Sequence, residues 1–430
     1  ALILFINLIG KMSGYLKEGV RMILVMGIGP GTSAWVVPEV EKMVQECEVL
    51  LGGGRALELF SDFQGETYQI KGNLREALDI ANRALSQGKK LGVLVSGDPG
   101  FYSLLPVLQR EFPEEEIRVL PGISSLQLAF ARAGVPWQEA ELLSVHGRPL
   151  CSLPLNLHKP LGVLTGGENT PQKVAQYYQT YGFNPRIFLG KDLSYPEEQW
   201  LTTDAQQLMG MTKDLSNAVL LIYPETISEK DNNTCEILPP RLGIKDEEFH
   251  RANVPMTKSE IRVQVLAKAG ITAKSRVLDV GAGTGSISIE AALIAYRGCV
   301  YAVEKNPEAQ ELILTNQEKF GVNNLRLIRG TAPEALVGIP LMDVCIIGGS
   351  QGRIHDILQQ APLVPGGRAV ITAVTLETVT KSIESLRKLE YQDIDVVSIQ
   401  AVRWQGLNED VHLAQALNPV FIISGNNKPD

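Results

Sequence analysis

The sequence predicts an α/β protein made of two unlike parts in tandem. An N-terminal part built as two α/β lobes precedes a part with an open, mainly parallel sheet and helices on its faces. Three observations predict this. Short apolar strands alternate with helix-like stretches from Met22 onward, the pattern of α/β units. Residues 225–242 interrupt the alternation with the polar run Glu225-Thr-Ile-Ser-Glu-Lys-Asp-Asn-Asn233 and the stiff pair Pro239-Pro240, as a linker does. Beyond it, the apolar strand Ser275-Arg-Val-Leu-Asp-Val280 runs directly into Gly281-Ala-Gly-Thr-Gly285 and a helix. The expected domains are therefore residues 22–224 and 243–430.

The N-terminal elements follow in order. Residues 22–26 read as a buried strand ending in Gly27-Ile-Gly-Pro-Gly31, and a helix follows from Pro38. Leu91-Gly-Val-Leu-Val95 is a strand ending at Ser96-Gly-Asp-Pro-Gly-Phe-Tyr-Ser103. Val119-Leu120 leads into Pro121-Gly-Ile-Ser-Ser125 and a helix. Three glycine or polar loops, each after a strand, form a cleft of backbone donors and acceptors. Pro30, Pro99 and Pro121 stiffen them. The second lobe has strands at 161–164, stopping at Thr165-Gly-Gly167, and at 186–189 and 218–222, with a helix ending near Gly182.

In the C-terminal part, Thr257-Lys-Ser-Glu260 reads as a capping box opening a helix that buries Ile261, Val265 and Leu266. Strands are expected at 276–280, 299–304, 325–329, 343–347 and 368–372. The loop Gly281–Gly285 lets the backbone turn sharply and approach a ligand, and the helix behind it offers oriented amides. A dinucleotide fingerprint needs a third glycine where Ser286 stands, so the G-x-G-x-G spacing after Asp279 argues against an NAD-linked oxidoreductase. Glu304 ends the next strand, nineteen residues beyond Gly285, where a carboxylate can accept from both hydroxyls of a ribose. Asn306-Pro307 reads as a helix N-cap and first position. After the third strand comes Gly330-Thr-Ala-Pro-Glu334, where an adenine could lie against Ala332.

Composition narrows the function. A net charge of −8 and the lack of a Lys/Arg-rich tail argue against nucleic acid as the partner. The five cysteines are dispersed and the histidines show no ligand spacing, so no metal site is expected and a reducing, cytoplasmic location is. The apolar run Ala1-Leu-Ile-Leu-Phe-Ile6 is too short for a membrane span and is expected to be an extension ahead of the fold.

The loop Asp279–Gly285 resembles the first motif of class I methyltransferases, a Rossmann-like fold. Together with Pro255-Met-Thr-Lys-Ser-Glu-Ile-Arg262 it is similar to the decarboxylating precorrin C15-methyltransferases of cobalamin biosynthesis. That resemblance implies S-adenosylmethionine as cofactor, held by Thr257, Asp279, Gly281, Ala282, Gly283, Thr284, Gly285, Glu304 and Ala332. The family usually has Asp where this chain has Glu304. The three N-terminal loops resemble those of the tetrapyrrole methylase family, of the C5-methyltransferase kind. This implies a second cofactor site at Pro30, Gly97, Asp98, Ser124, Ser125 and Thr165, with Leu51-Gly-Gly-Gly-Arg55 and Lys191-Asp-Leu-Ser-Tyr195 on the substrate side. Fusion of the two domains resembles the C5,15-methyltransferases (decarboxylating), which methylate precorrin-6 at C5 and C15, lose carbon dioxide from the C12 acetate and give precorrin-8. A tetrapyrrole substrate, no nucleic acid, no membrane and a homo-oligomer are what the resemblance implies. RNA methylation, which both resemblances leave open and the net charge argues against, and a chain with only its C-terminal domain active are the alternatives. The substrate carries many carboxylates, so Lys258 and Arg262, four apart on one helix, and Arg353 are the candidate cations for it. No general acid or base is assigned.

Overall fold

The computed structural model describes residues 21–224, 241–406 and 412–429. The expected N-terminal extension and residues 225–240 of the expected linker lie outside them. The chain divides into two compact units. One takes in the described residues up to Pro149 with Pro160–Val174 and Arg186–Ile222, and the other takes in Leu150–Lys159, Ala175–Pro185 and the described residues from Tyr223.

The first unit holds two sheets. Strands β1 (Met22–Gly27), β2 (Val49–Gly52), β3 (Glu66–Gln69), β4 (Leu91–Val95) and β5 (Glu116–Leu120) lie in the order β3-β2-β4-β1-β5, with parallel pairing throughout. β1 is an interior strand, with Ile23 beside Leu91 on one side and Ile117 on the other. Successive residues of a strand point to opposite faces. Leu24 and Met26 accordingly pack with Val40 and Val44, whereas Ile23 and Val25 pack with Ala81 and Leu85. Burial on both faces is why β1 reads as one unbroken apolar run. Strands β6 (Glu141–Ser144), β7 (Leu161–Leu164), β8 (Arg186–Lys191), β9 (Gln199–Asp204) and β10 (Ala218–Tyr223) form a mixed sheet in the order β6-β7-β10-β8-β9.

The second unit is built on a seven-stranded sheet. Its strands are β11 (Arg276–Val280), β12 (Cys299–Glu304), β13 (Leu325–Arg329), β14 (Met342–Ile347), β15 (Leu363–Ala373), β16 (Gln392–Ile399) and, after the hairpin β17 (Val402–Gly406) and β18 (His412–Ala416), β19 (Val420–Asn426). The order is β13-β12-β11-β14-β15-β19-β16, and β19 runs antiparallel to both neighbours. Strand order reverses at β11, which places a crevice at the carboxyl ends of β11, β12 and β14, where ligands bind in such sheets.

The expected strands are present, with two kinds of difference. β15 begins at Leu363 rather than at 368. Pro365-Gly366-Gly367 sits where the pairing with β14 shifts register between Met342 and Val344, so a sequence that reads as a turn is a bulge within the strand. The other difference is in the helix after Thr257, which spans Ser259–Ala269. Its N-cap is Lys258, without a side-chain cap. The capping box expected from Thr257 and Glu260 is absent because Asp246 accepts from the Ser259 amide (3.0 Å) and Glu260 turns to Arg403 (2.7 Å), whose guanidinium holds its carboxyl down at about 2. Ile261, Val265 and Leu266 are buried as expected. No helix among the described residues is long and apolar enough to cross a membrane.

Candidate functional site

The loop after β11 is fixed by backbone contact. Gly281 has φ +73°, and a Cβ there would lie 2.7 Å from the amide nitrogen of Gly349, in the loop after β14. Glycine is required on both counts. Gly283 and Gly285 share the left-handed conformation, and Gly285 is the N-cap of the helix Ser286–Ile294. Val254 and Pro255 lie against this loop, with the Pro255 carbonyl 3.3 Å from where a Gly283 Cβ would be, and Thr257 is not in the lining of the cleft beside it. An open cleft of about 530 Å³ adjoins it, lined by Gly281, Glu304, Lys305, Thr331, Ala332 and Ser350 among others.

Glu304 is 8% exposed, and its carboxylate is already engaged. Oε1 accepts from the Lys305 and Asn306 amides and Oε2 from the Gly283 amide, each at 2.8 Å. A carboxylate has about four acceptor positions, so one remains, on Oε2. Glu304 thus keeps an acceptor position for a ribose hydroxyl while its bond from the Gly283 amide ties the glycine loop to β12. The Thr284 hydroxyl is buried without a hydrogen-bond partner among the described residues, an unmet demand at the turn. A nucleoside with a charged amino-acid tail fits these residues. Glu304 offers one acceptor, Ala332 a small apolar wall, and the start of the helix Ser286–Ile294 amides for a carboxylate.

Asp279 stands apart from this lining. It is 1% exposed, and its carboxylate accepts from the Ser288 hydroxyl, so it braces β11 against the helix rather than facing the cleft. Burial pushes its carboxyl up to about 6, Glu304 adds to this, and the Ser288 bond opposes it. With the folded value raised, the group's stabilisation is complete below the ordinary aspartate range near pH 4 and is lost as pH rises through 6. Asp279→Asn is therefore expected to stabilise the protein at pH 7.5 by up to ~3 kcal/mol, a gap that narrows through pH 6 and closes toward pH 4. Thermal melts of both proteins across that range check this; a gap independent of pH would contradict the cause.

The three cations expected to bind substrate fare differently. Arg262 is fully buried, so its assignment is corrected. Its guanidinium is bound to Glu290 (2.6 Å), the Thr257 carbonyl (2.6 Å), Asp246 (3.4 Å) and the Ile244 carbonyl. Arg353 is paired with Glu334 (2.5 Å) and lies 3.8 Å from Asp356, so it has acidic partners already. Lys258 is the least committed, half-buried with its ammonium 3.8 Å from Asp246. Lys305, Gly349, Ser350 and Gln351 line the cleft but were not singled out from sequence. The available signal was Gly348-Gly349 at the end of β14, a strand that becomes a neighbour of β11 only in the folded sheet.

In the first unit the loops after β1, β4 and β5 converge. A Cβ at Gly122 would lie 2.7 Å from the carbonyl carbon of Gly27, and it would overlap the Gly97 carbonyl oxygen. The Gly97 amide donates to the Gly29 carbonyl (2.8 Å), and Asp98 accepts from the Gly100 (2.8 Å) and Gly122 (3.1 Å) amides. Pro30 follows Gly29, which has φ +74°. Ser124 caps the helix Ser125–Ala133 through the Leu126 amide, and Gln127 accepts from the Ser124 amide in return. The Thr165 hydroxyl donates to the Ala218 carbonyl (2.6 Å), joining β7 to β10. Asp98, Ser124 and Thr165 are thus each engaged with neighbouring backbone.

Beside them an open cleft of about 1020 Å³ brings the two expected substrate-side runs together, with Arg55 and Tyr195 both in its lining. Leu51-Gly-Gly-Gly-Arg55 is not one loop: Leu51 and Gly52 end β2, and Gly54 opens the helix Gly54–Glu58.

Two family models match the chain: tetrapyrrole (corrin/porphyrin) methylases over residues 22–209 and a precorrin methyltransferase domain over residues 248–407. A Sinorhizobium protein named precorrin-6Y C(5,15)-methyltransferase (decarboxylating) is 32% identical over 363 residues, covering 83% of this chain and 85% of that protein. A Sulfurisphaera tokodaii protein described as a probable cobalt-precorrin-6B C(15)-methyltransferase (decarboxylating) is 40% identical over 188 residues, 43% of this chain and 96% of that protein. A solved structure titled precorrin-6Y C5,15-methyltransferase, from Geobacter metallireducens, is 34% identical with a TM-score of 0.42, covering 44% of this chain and 99% of that one.

Proposed function

The chain belongs to the family of precorrin-6Y C5,15-methyltransferases (decarboxylating), and we propose that it methylates a precorrin at C5 and at C15 and releases the C12 acetate carboxyl as carbon dioxide. The observation that carries this reading is the presence in one chain of two sets of glycine loops at the ends of parallel strands, one where Gly27, Gly97 and Gly122 meet, beside the Arg55 cleft, and one at Gly281, beside the Glu304 cleft. We assign C5 transfer to residues 22–224. C15 transfer and decarboxylation go to residues 243–430, since the precorrin methyltransferase model matches residues 248–407 and a relative about as long as this part carries both in its name.

S-adenosylmethionine supplies an electrophilic methyl group when bound. In the C-terminal cleft Thr257, Gly281, Ala282, Gly283, Thr284, Gly285, Glu304 and Ala332 would hold it, with Asp279 behind them. In the N-terminal cleft the holders would be Pro30, Gly97, Asp98, Ser124, Ser125 and Thr165. The remaining task of the protein is to fix a ring carbon in line at near-attack distance and to exclude water. Carbon–carbon bond formation at C15 leaves a conjugated iminium in the substrate. That iminium can take the electron pair released when the acetate C–C bond breaks, so methylation precedes carbon dioxide loss.

The full chain is expected to add two methyl groups to precorrin-6Y, metal-free or cobalt-bearing, and to remove one carbon dioxide, read as separate mass shifts. Calorimetry with S-adenosylmethionine should show two binding events per chain. Methylation of RNA with no mass change in either precorrin would overturn the reading.

A further inference from the structure

Two arginines in the first unit are held in the same way across its two sheets. Arg55, after β2, lies over the ring of Tyr195, after β8, with the guanidinium carbon 5.4 Å from the ring centroid. Arg148, after β6, lies over the ring of Tyr102, after β4, at 4.4 Å. Each pair takes one residue from each sheet, with arginine and tyrosine exchanged between them. Neither guanidinium has a carboxylate partner among the described residues.

Both rings are specifically placed. A Cβ at Gly31, in the loop after β1, would overlap the Tyr195 ring, so the glycine leaves room for that ring beside the loop. Tyr102 has φ +49°, a conformation that costs a non-glycine residue energy, and it stands exposed with its ring edge-on to Phe101. A guanidinium lying on an aromatic face keeps its in-plane N–H groups, the fork that grips a carboxylate through two parallel hydrogen bonds. Arg55 is the sole cation among the residues lining its cleft, which also include Glu58, Asp192 and Glu197. Asp192 is answered by Lys191 at 3.1 Å and by the Asn217 amide at 2.8 Å. An anionic arm entering there is repelled by the other walls and attracted at one point.

We propose that Arg55 and Arg148 are carboxylate clamps that decide which peripheral arms of the tetrapyrrole are gripped beside the N-terminal donor loops. The proposal rests on the assignment of C5 methylation to this domain. The test uses the full chain with precorrin-6Y as free acid and with its peripheral carboxylates as methyl esters, scoring C5 and C15 methylation separately. Arg55→Gln and Arg148→Gln are each expected to raise KM for C5 methylation of the free acid about tenfold, the equivalent of ~1.4 kcal/mol. Turnover and S-adenosylmethionine affinity should hold, and the ester should show no further loss. If the arginines only brace the lobes, the variants lose thermal stability and cofactor affinity while the preference for acid over ester persists, which overturns the proposal. Should the Gln variants fail to fold, Arg55→Lys and Arg148→Lys keep the charge but not the fork. A weakened acid preference in them supports the clamps, and an unchanged one overturns them. Wild-type protein that methylates no precorrin at C5 removes the functional reading itself, an outcome distinct from an unchanged acid preference.

Discussion

Arg262→Ala is expected to cost about 3–5 kcal/mol of stability, the range for breaking a buried ion pair by removing one partner. Arg262 and Glu290 are both fully buried, 2.6 Å apart, and the guanidinium lies 4.8 Å from the centroid of the Phe249 ring. Truncation leaves the Glu290 carboxylate, among the described residues, with the Gly243 and Ile244 amides, each at 3.0 Å, and strips donors from the Ile244 and Thr257 carbonyls. This side chain is one of the ties on the segment from Gly243 to Lys258, beside the two-way bonding of Asn316 with the His250 backbone and the burial of Ile244 and Phe249 in the core. The double variant Arg262→Met with Glu290→Leu leaves no charge unpaired and is expected to be markedly more stable than either single change. Urea unfolding of the three variants checks both statements. A loss below about 1 kcal/mol for Arg262→Ala, accompanied by a raised KM, would return the residue to the substrate face.

The way Arg262 was misread shows which part of the site was legible. The turn from β11 through Gly285 into its helix is local: strand, glycines and helix are contiguous, so periodicity and spacing locate it. The same holds for Asn306, which caps its helix through the Glu308 amide as its sequence suggests. Arg262 depends on a partner 28 residues away. Its spacing from Lys258 suggested a shared exposed face, but the helix starts at Ser259, and Arg262 lies among Ile261, Val265 and Leu266 on the buried side. One signal was available. In Ser286-Ile-Ser-Ile-Glu-Ala-Ala-Leu293, every residue of which is buried, a lone glutamate demands a cation.

Strands escaped notice for a related reason. β3 and β18 expose nearly every side chain, so neither carries the apolar alternation that marks a half-buried strand. The Arg–Tyr pairs of the N-terminal part were illegible for the same cause as Arg262. Each joins loops on different sheets, and only the topology brings them together.

Gly281→Ala isolates the C-terminal cleft more cleanly than any change to its side chains. The added Cβ would meet the amide nitrogen of Gly349 at 2.7 Å and its Cα at 2.8 Å, backbone atoms that no rotamer change can move aside. Both loops are tethered. The Gly281 amide donates to the Val303 carbonyl (2.9 Å), and the Gly348 amide donates to Val280 (2.9 Å). The loops after β11 and β14 must separate by a large fraction of an ångström, and displacement of about 1 Å at a reacting centre can cost roughly 10²-fold in rate. C15 methylation and carbon dioxide release are expected to fall together by about that factor, while C5 methylation by the same molecule is kept. Gly338→Ala is the control, because Gly338 also has a positive φ, +84°, but open space where its Cβ would go. It carries the conformational cost of alanine at positive φ without the collision. If Gly281→Ala behaves like Gly338→Ala, the contact between the two loops is unimportant. If it depresses both methylations equally, the two transfers do not occur at separate sites. Loss of C15 transfer with carbon dioxide release intact would separate two events assigned to one cleft, and would remove the iminium as the electron sink for decarboxylation.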